Sequence, residues 1–451
     1  MKRIVILGAG KSATVLIDFL LAQAKERGWE IGVGDLDPEL AKRKINGHPS
    51  GDAFAFDVHD ASSRRERISG ADLVISMVPA FLHPKIAEDC IALGVHFVSA
   101  SYVGDEMRGL SEAAERAGVI LLNELGVDPG IDHMSAMEQL DELKERGATV
   151  QRFETYTGGL VAPQSDDNPW SYKFTWNPRN VVLAGQGVVK FKHNGRYKYI
   201  PYHRLFKRYE KLKVPGYGVF EGYPNRDSLK YRRHYGLFNT DTIYRGTLRR
   251  PGFCRAWDCL VQLGLTDDSY EVEDLAGLTW REWINSYLWY DRGMSVEIKL
   301  QAYLKLEHNA PEFDQLQWLG IFEDEPIGMS KGTPAQVLQK RLEEKWSMGP
   351  DDQDMIVMVH KTGYELEGEK HLVQSSMVCM GDDHERTAMA KTVGLPLAIG
   401  ALRVLDGTIQ RRGVVLPTVS DVYKPIMAEL KNHGIAFEHD SAPFDDARNR
   451  S

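Results

Sequence analysis

The sequence predicts an α/β fold: a Rossmann doubly wound parallel sheet, followed by a second α+β domain with a mixed or antiparallel sheet. Three observations carry this. Strand-length apolar runs alternate with helical patterns over roughly the first 125 residues, as parallel sheets require. A glycine turn joins the first strand to the first helix. After Pro129 the rhythm changes to longer loops, many aromatics and strand-like segments.

The opening element is the most specific. Ile4, Val5, Ile6 and Leu7 form an apolar strand that runs into Gly8-Ala9-Gly10-Lys11-Ser12-Ala13, a G-x-G-x-x-A junction. Beyond it Val15, Leu16, Phe19 and Leu20 share one helical face. Gly8 permits the turn, Gly10 lets a pyrophosphate approach the backbone, and Ala13 lets helix and strand pack closely. The helix N-terminus offers N–H groups and a positive dipole end to phosphate. Residues 29–34 read as a second strand ending in Asp35, 22 residues after Ala13, where a carboxylate accepts from an adenosine ribose. Gly10-Lys11-Ser12 also matches the end of a P-loop, but that motif's first glycine would fall at Val5, inside the strand.

Apolar runs at 53–58, 71–78, 96–99 and 119–122 give the next strands, with helical patterns at 85–93 and 110–117 between them. Asp57 and Val78 are further candidate dinucleotide contacts, beside Gly8, Gly10, Lys11, Ser12, Ala13 and Asp35. Residues 1–130 are therefore read as the dinucleotide domain and 131–387 as a substrate-binding and dimerisation domain, with strand-like stretches at 295–306 and 354–360. Residues 388–451 turn helical again, with an amphipathic helix at 419–432 and an apolar tail at 435–437, and are expected to return onto the first domain.

Composition is ordinary for a globular chain of 451 residues, with 43% hydrophobic and 26% charged side chains. A formal charge of −9 argues against a general nucleic-acid binder. Residues 190–213 hold nine Lys or Arg and one acid, interleaved with aromatics; in an acidic chain this reads as a solvated hairpin and amphipathic helix. No uninterrupted apolar run nears the roughly 18 residues of a membrane span, and the N-terminal apolar segment is too short for a signal peptide. Cys90, Cys254, Cys259 and Cys379 show no metal-ligand spacing and read as reduced, buried thiols of a cytoplasmic protein. No metal is expected.

Specific words mark the later strand ends: Ser99-Ala100-Ser101-Tyr102, then Asn123-Glu124-Leu125-Gly126-Val127-Asp128-Pro129-Gly130-Ile131-Asp132-His133. Others are Gly158-Gly159-Leu160, Tyr172-Lys173-Phe174-Thr175-Trp176, Tyr223-Pro224-Asn225-Arg226-Asp227-Ser228 and Arg245-Gly246-Thr247-Leu248-Arg249. In this order the chain resembles the saccharopine dehydrogenase family, and within it the glutamate-forming branch. The resemblance implies interconversion of saccharopine with glutamate and α-aminoadipate semialdehyde in lysine metabolism, with a nicotinamide cofactor and a homodimeric assembly.

Saccharopine carries three carboxylates, so its site needs cations, and guanidinium suits bidentate recognition. By pattern alone Arg245, Arg249 and Arg250 read as the charges of a solvated strand. The resemblance moves Arg226 and Arg249, with Thr247, to the substrate. It places Tyr102 and Asp128 beside the amine as candidate catalytic groups and Trp176 in the substrate wall. Ser101 and Tyr102 end a predicted parallel strand, the edge where open α/β sheets bind ligands. His133 reads as a capping or packing residue. Some relatives carry a cysteine beside the Gly-Gly-Leu word, where this chain has Thr157.

Many relatives also place a basic residue after the second strand and use NADP. Here Gly34-Asp35-Leu36-Asp37 favours NAD, with Lys42 and Arg43 leaving NADP some access. Two other readings stand beside the first. A polyamine enzyme of the carboxynorspermidine or homospermidine type would want acids where Arg226 and Arg249 stand. A dinucleotide-binding redox sensor would bind the cofactor without turnover.

Overall fold

The computed structural model describes residues 1–442. Its strands are β1 (Arg3–Leu7), β2 (Glu30–Asp35), β3 (Gly51–Ala55), β4 (Leu73–Ser76), β5 (His96–Ser99), β6 (Ile120–Leu122), β7 (Thr149–Val161) and β8 (Val188–His193). There follow β9 (Arg196–Pro201), β10 (Glu210–Val214), β11 (Gly218–Pro224), β12 (Thr242–Arg249), β13 (Asp354–Leu366), β14 (Glu369–Met380), β15 (Gly413–Val415) and β16 (Glu438–Ala442).

Among the described residues the strands form two sheets. The first is all parallel, in the order β15-β6-β5-β4-β1-β2-β3, a doubly wound sheet extended by one late strand. The second has nine strands; β12 and β7 run parallel, and the remaining pairs are antiparallel. It is the mixed sheet expected of the second domain.

Alternation along β1 shows how the layers are built. Val5 and Leu7 point into an outer core with Phe97, while Ile4 and Ile6 point into a core between the sheets. That central core includes Phe153 of β7 and Ile356 of β13 from the second sheet. It is filled by the helices Thr14–Arg27, Ile131–Glu145, Ala388–Leu405 and Ser420–Asn432. The C-terminal segment thus reaches both sheets: β15 extends the first and β16 pairs with β14 of the second. The helix Ala388–Leu405 is long and apolar enough to cross a membrane, but its surface is largely buried between the sheets.

Two expectations are corrected. Residues 295–306 contain the helix Val296–Leu304 rather than a strand. Their apolar residues alternate, but Ser295 accepts a hydrogen bond from the Ile298 N–H, and this cap with Glu297 in the first turn favours helix; Ile298 is left half exposed. Residues 190–213 hold the hairpin β8–β9 and then β10, with a three-residue helical turn at Tyr202–Arg204 in place of an amphipathic helix. Val189, Phe191, Leu212 and Val214 are buried at spacing two, which is strand periodicity.

Candidate functional site

The glycine turn has the shape expected of it. Gly8 adopts φ +106, and a Cβ there would press on the Met77 backbone at 3.0 Å. Around Gly10 nothing lies within 4 Å of a notional Cβ, so its side of the turn is open for a phosphate. A short helical turn, Lys11–Ala13, leads into the helix Thr14–Arg27, with Lys11 exposed, Ser12 half buried and Ala13 buried. Asp35, at the end of β2, accepts hydrogen bonds from the Ala9 N–H (2.7 Å) and the Asp37 N–H (3.0 Å). Its carboxylate is thereby fixed at the turn. Val78 lies just past β4, next to Met77. Asp57 is exposed and accepts from the His59 N–H at 2.8 Å, one residue beyond Phe56, whose N–H bonds the Asp35 carbonyl.

The nominated catalytic pair is brought together. The Tyr102 hydroxyl donates to Asp128 Oδ1 at 2.6 Å. A residue that sequence reasoning left in solvent organises them: Arg245 is buried, and its guanidinium donates to Asp128 (2.6 Å), Asp132 (2.8 Å) and the Tyr102 oxygen (3.1 Å). The available signal was strand periodicity. On β12, residues 245, 247 and 249 point to one face, so placing Arg249 in the site places Arg245 there too.

Burial drives the Asp128 carboxyl upward, but the Arg245 charge and the Tyr102 hydroxyl outweigh it and hold it below the usual carboxylate range. Burial, with the Asp128 charge added, leaves Asp132 above that range. Tyr102 is raised well above an ordinary phenol, first by burial. The pair is therefore poised as an anionic acceptor beside a neutral donor.

His133 lies behind this cluster, fully buried, with Nε2 3.0 Å from Glu124 and Nδ1 2.5 Å from the Tyr235 hydroxyl. Tyr231 also donates to Glu124, at 3.0 Å. These contacts hold His133 in a buried polar cluster with Glu124, Tyr231 and Tyr235.

Further along β12, Thr247 is half buried and Arg249 is buried. The Arg249 guanidinium lies 4.9 Å from the Tyr172 ring, 5.2 Å from Phe253 and 5.9 Å from Tyr223. One nitrogen donates to the Leu248 carbonyl at 2.9 Å, while Nε is buried without a partner. Among the described residues no carboxylate lies within ion-pair distance of it. Arg226, in the left-handed region at φ 47, stands 5.4 Å from the Tyr102 ring. Trp176 is partly buried where the central core meets a second cluster that includes Tyr156, Tyr172 and Phe174. Ser101 follows β5, and its hydroxyl lies 2.8 Å from His83 Nε2, a contact unforeseen from sequence.

None of these residues lines the wide cleft of 1080 Å³ bounded by Phe206, Arg255, Tyr303 and Glu312. No group of three or more His, Cys, Asp or Glu among the described residues is placed to hold a metal.

Fold and site together define a nicotinamide-dinucleotide-binding α/β protein whose acid–base cluster, past the ends of β5 and β6, meets a buried arginine of β12. Residues 4–122 match the saccharopine dehydrogenase NADP binding domain and residues 126–435 the saccharopine dehydrogenase C-terminal domain. The chain belongs to the saccharopine dehydrogenase family.

Similar relatives include the NADP(+)-dependent, L-glutamate-forming saccharopine dehydrogenases of Schizosaccharomyces pombe and Saccharomyces cerevisiae. The first is 33% identical, covering 98% of this chain and 99% of the relative. The second is 34% identical, covering 96% and 97%. The mitochondrial alpha-aminoadipic semialdehyde synthase of Bos taurus is 35% identical over 97% of this chain, which spans about half (47%) of that protein. The apo structure of the Saccharomyces cerevisiae saccharopine dehydrogenase (L-Glu forming) superposes with a TM-score of 0.90 at 31% identity, covering 98% of this chain and 100% of that one.

Proposed function

We propose that this chain interconverts saccharopine with L-glutamate and α-aminoadipate semialdehyde. Arg249 is the observation that carries the reading. A buried guanidinium costs several kcal/mol to desolvate, and contacts with ring faces return only about 0.5–2 kcal/mol each. With no carboxylate of the described residues beside it, it suits a carboxylate brought by the substrate. An amine-rich polyamine would meet repulsion there.

Gly8, Gly10, Lys11, Ser12 and Ala13 would hold the pyrophosphate of the dinucleotide, and Asp35 its adenosine ribose. When bound, its nicotinamide exchanges hydride with the carbon attached to the substrate's secondary amine. The chain does the rest. Arg226, Arg249, Thr247 and Ser101 hold carboxylates, Trp176 forms a wall, and Asp128 takes the amine proton while Tyr102 orients it. Arg245 keeps Asp128 ionised for that task.

The yeast relatives are named for NADP(+), yet we propose NAD as the preferred cofactor here. The Asp35 carboxylate, held by two backbone N–H groups, accepts from free ribose hydroxyls and repels a 2′-phosphate. Arg43 is paired with Asp37 at 3.7 Å, which weakens it as a phosphate ligand. A spectrophotometric assay of the purified chain with saccharopine and either dinucleotide tests both proposals: turnover with NAD favoured is expected, and no turnover with either would overturn the function.

A further inference from the structure

We infer that His83 is a positioning residue: held by Ser76 as its Nε2–H tautomer, it donates to Ser101 and leaves the Ser101 hydroxyl proton free for an anionic group of the substrate. The inference deepens the proposed function and rests on its reading of Ser101 as a substrate contact.

The wiring follows from an account of donors. His83 is buried at the start of the helix His83–Leu93, with Nδ1 2.8 Å from Ser76 Oγ and Nε2 2.8 Å from Ser101 Oγ. Ser76 is 1% exposed at the end of β4, and the only acceptor its hydroxyl meets among the described residues is His83 Nδ1. Leaving that buried hydroxyl proton unmatched costs about 1–3 kcal/mol, so Ser76 donates and Nδ1 accepts. A neutral imidazole accepting at Nδ1 carries its proton on Nε2. Ser101 then accepts from His83, and its own proton points elsewhere.

The opposite tautomer would strand the Ser76 proton and make Ser101 donate inward, presenting lone pairs suited to an amine. Burial supports the neutral ring by lowering the His83 pKa to about 4. The Phe97 ring, edge-on at 5.9 Å, limits rotation of the imidazole. His83 acts through Ser101 and touches no reacting atom. Ser76, His83 and Ser101 together orient one hydroxyl at the C-terminal ends of β4 and β5.

Two measurements on the full chain test this. A long-range proton–nitrogen correlation spectrum of ¹⁵N-histidine-labelled protein, with His83 assigned by its loss in His83→Gln, reads the tautomer. The Nε2–H form at neutral pH is expected; the Nδ1–H form or an imidazolium overturns the inference. In kinetics, His83→Leu should raise the KM for saccharopine about tenfold, the loss of one hydrogen bond to a charged group, with kcat little changed. His83→Gln, whose amide N–H donates from near the Nε2 position, should restore most of it. Ser101→Ala should match His83→Leu, and the double variant should be no worse than Ser101→Ala. Additive losses would overturn the relay. If the unaltered chain failed to turn over saccharopine, the proposed function would fall while the spectrum still decided the wiring of His83.

Discussion

Replacing Arg245 by leucine removes the guanidinium shared by Asp128 and Asp132 while keeping apolar bulk in its place. The two contacts, at 2.6 Å and 2.8 Å, are made by a side chain only 8% exposed, to carboxylates 17% and 1% exposed. Breaking a buried pair leaves an uncompensated charge and costs about 3–5 kcal/mol; with two carboxylates stranded, the upper part of that range is expected at neutral pH. The pH dependence has a definite sign. In the unaltered protein Asp128 is held below the usual carboxylate range, so its contribution is present above the unfolded pKa and fades as pH falls through the folded one. Without Arg245, burial is opposed less, by the Tyr102 hydroxyl at Asp128 and by His133 at Asp132, and both carboxyls are driven up. They then take up protons at higher pH, and the variant's deficit should shrink as the solution is made acid. Urea unfolding of both proteins, followed by far-ultraviolet circular dichroism at neutral and mildly acid pH, measures this. A deficit below about 1 kcal/mol at neutral pH, or one that does not change with pH, would refute the buried triad.

Arg226→Ala and Arg249→Ala should each raise the KM for saccharopine steeply while dinucleotide affinity stays near normal; unchanged steady-state kinetics in both would remove them from the site. Asp128→Ala should lower kcat by about 100-fold or more, and Tyr102→Phe should alter the pH profile of turnover, as loss of a proton acceptor and its partner requires. The preference for NAD over NADP should be at least about tenfold, for which roughly 1.4 kcal/mol suffices, and Asp35→Ala should narrow it; a ratio unmoved by that change would show that the carboxylate does not read the ribose. Gly130→Ala should cost about 2 kcal/mol or more in thermal unfolding, because Gly130 sits at φ +147 and a Cβ there would overlap the Gly126 backbone.

Local pattern revealed what is local. The strand, turn and helix from Arg3 to Arg27 and the acid ending β2 follow from apolar periodicity and glycine chemistry, and the structure has them in place. Tyr102 and Asp128 were nominated separately, each at a strand end, and the parallel sheet brings those ends together because its strands all point one way. Arg245 was missed because a charge on a strand normally faces water, and the two aspartates that meet it lie more than a hundred positions earlier. His83 left no trace either, since its value depends on Ser76 and Ser101 flanking it from two neighbouring strands. The helix Val296–Leu304 was misread because its alternating apolar residues imitate a strand, and only Ser295 announces the cap.

The shared helical layer between the sheets has a consequence for how the chain is made. During synthesis β1 to β6 leave the ribosome long before Ala388–Leu405 and Ser420–Asn432, the helices that help to cover their inner face. Until those arrive, Ile4, Ile6, Ile75 and Val98 have only the helix Thr14–Arg27 and whatever follows it for shelter, and β6 waits for β15 as its outer neighbour. The nascent first sheet therefore carries an apolar face and a strand edge until residues 388–432 emerge, the kind of surface that holding chaperones engage. Its final closure belongs to residues 388–432.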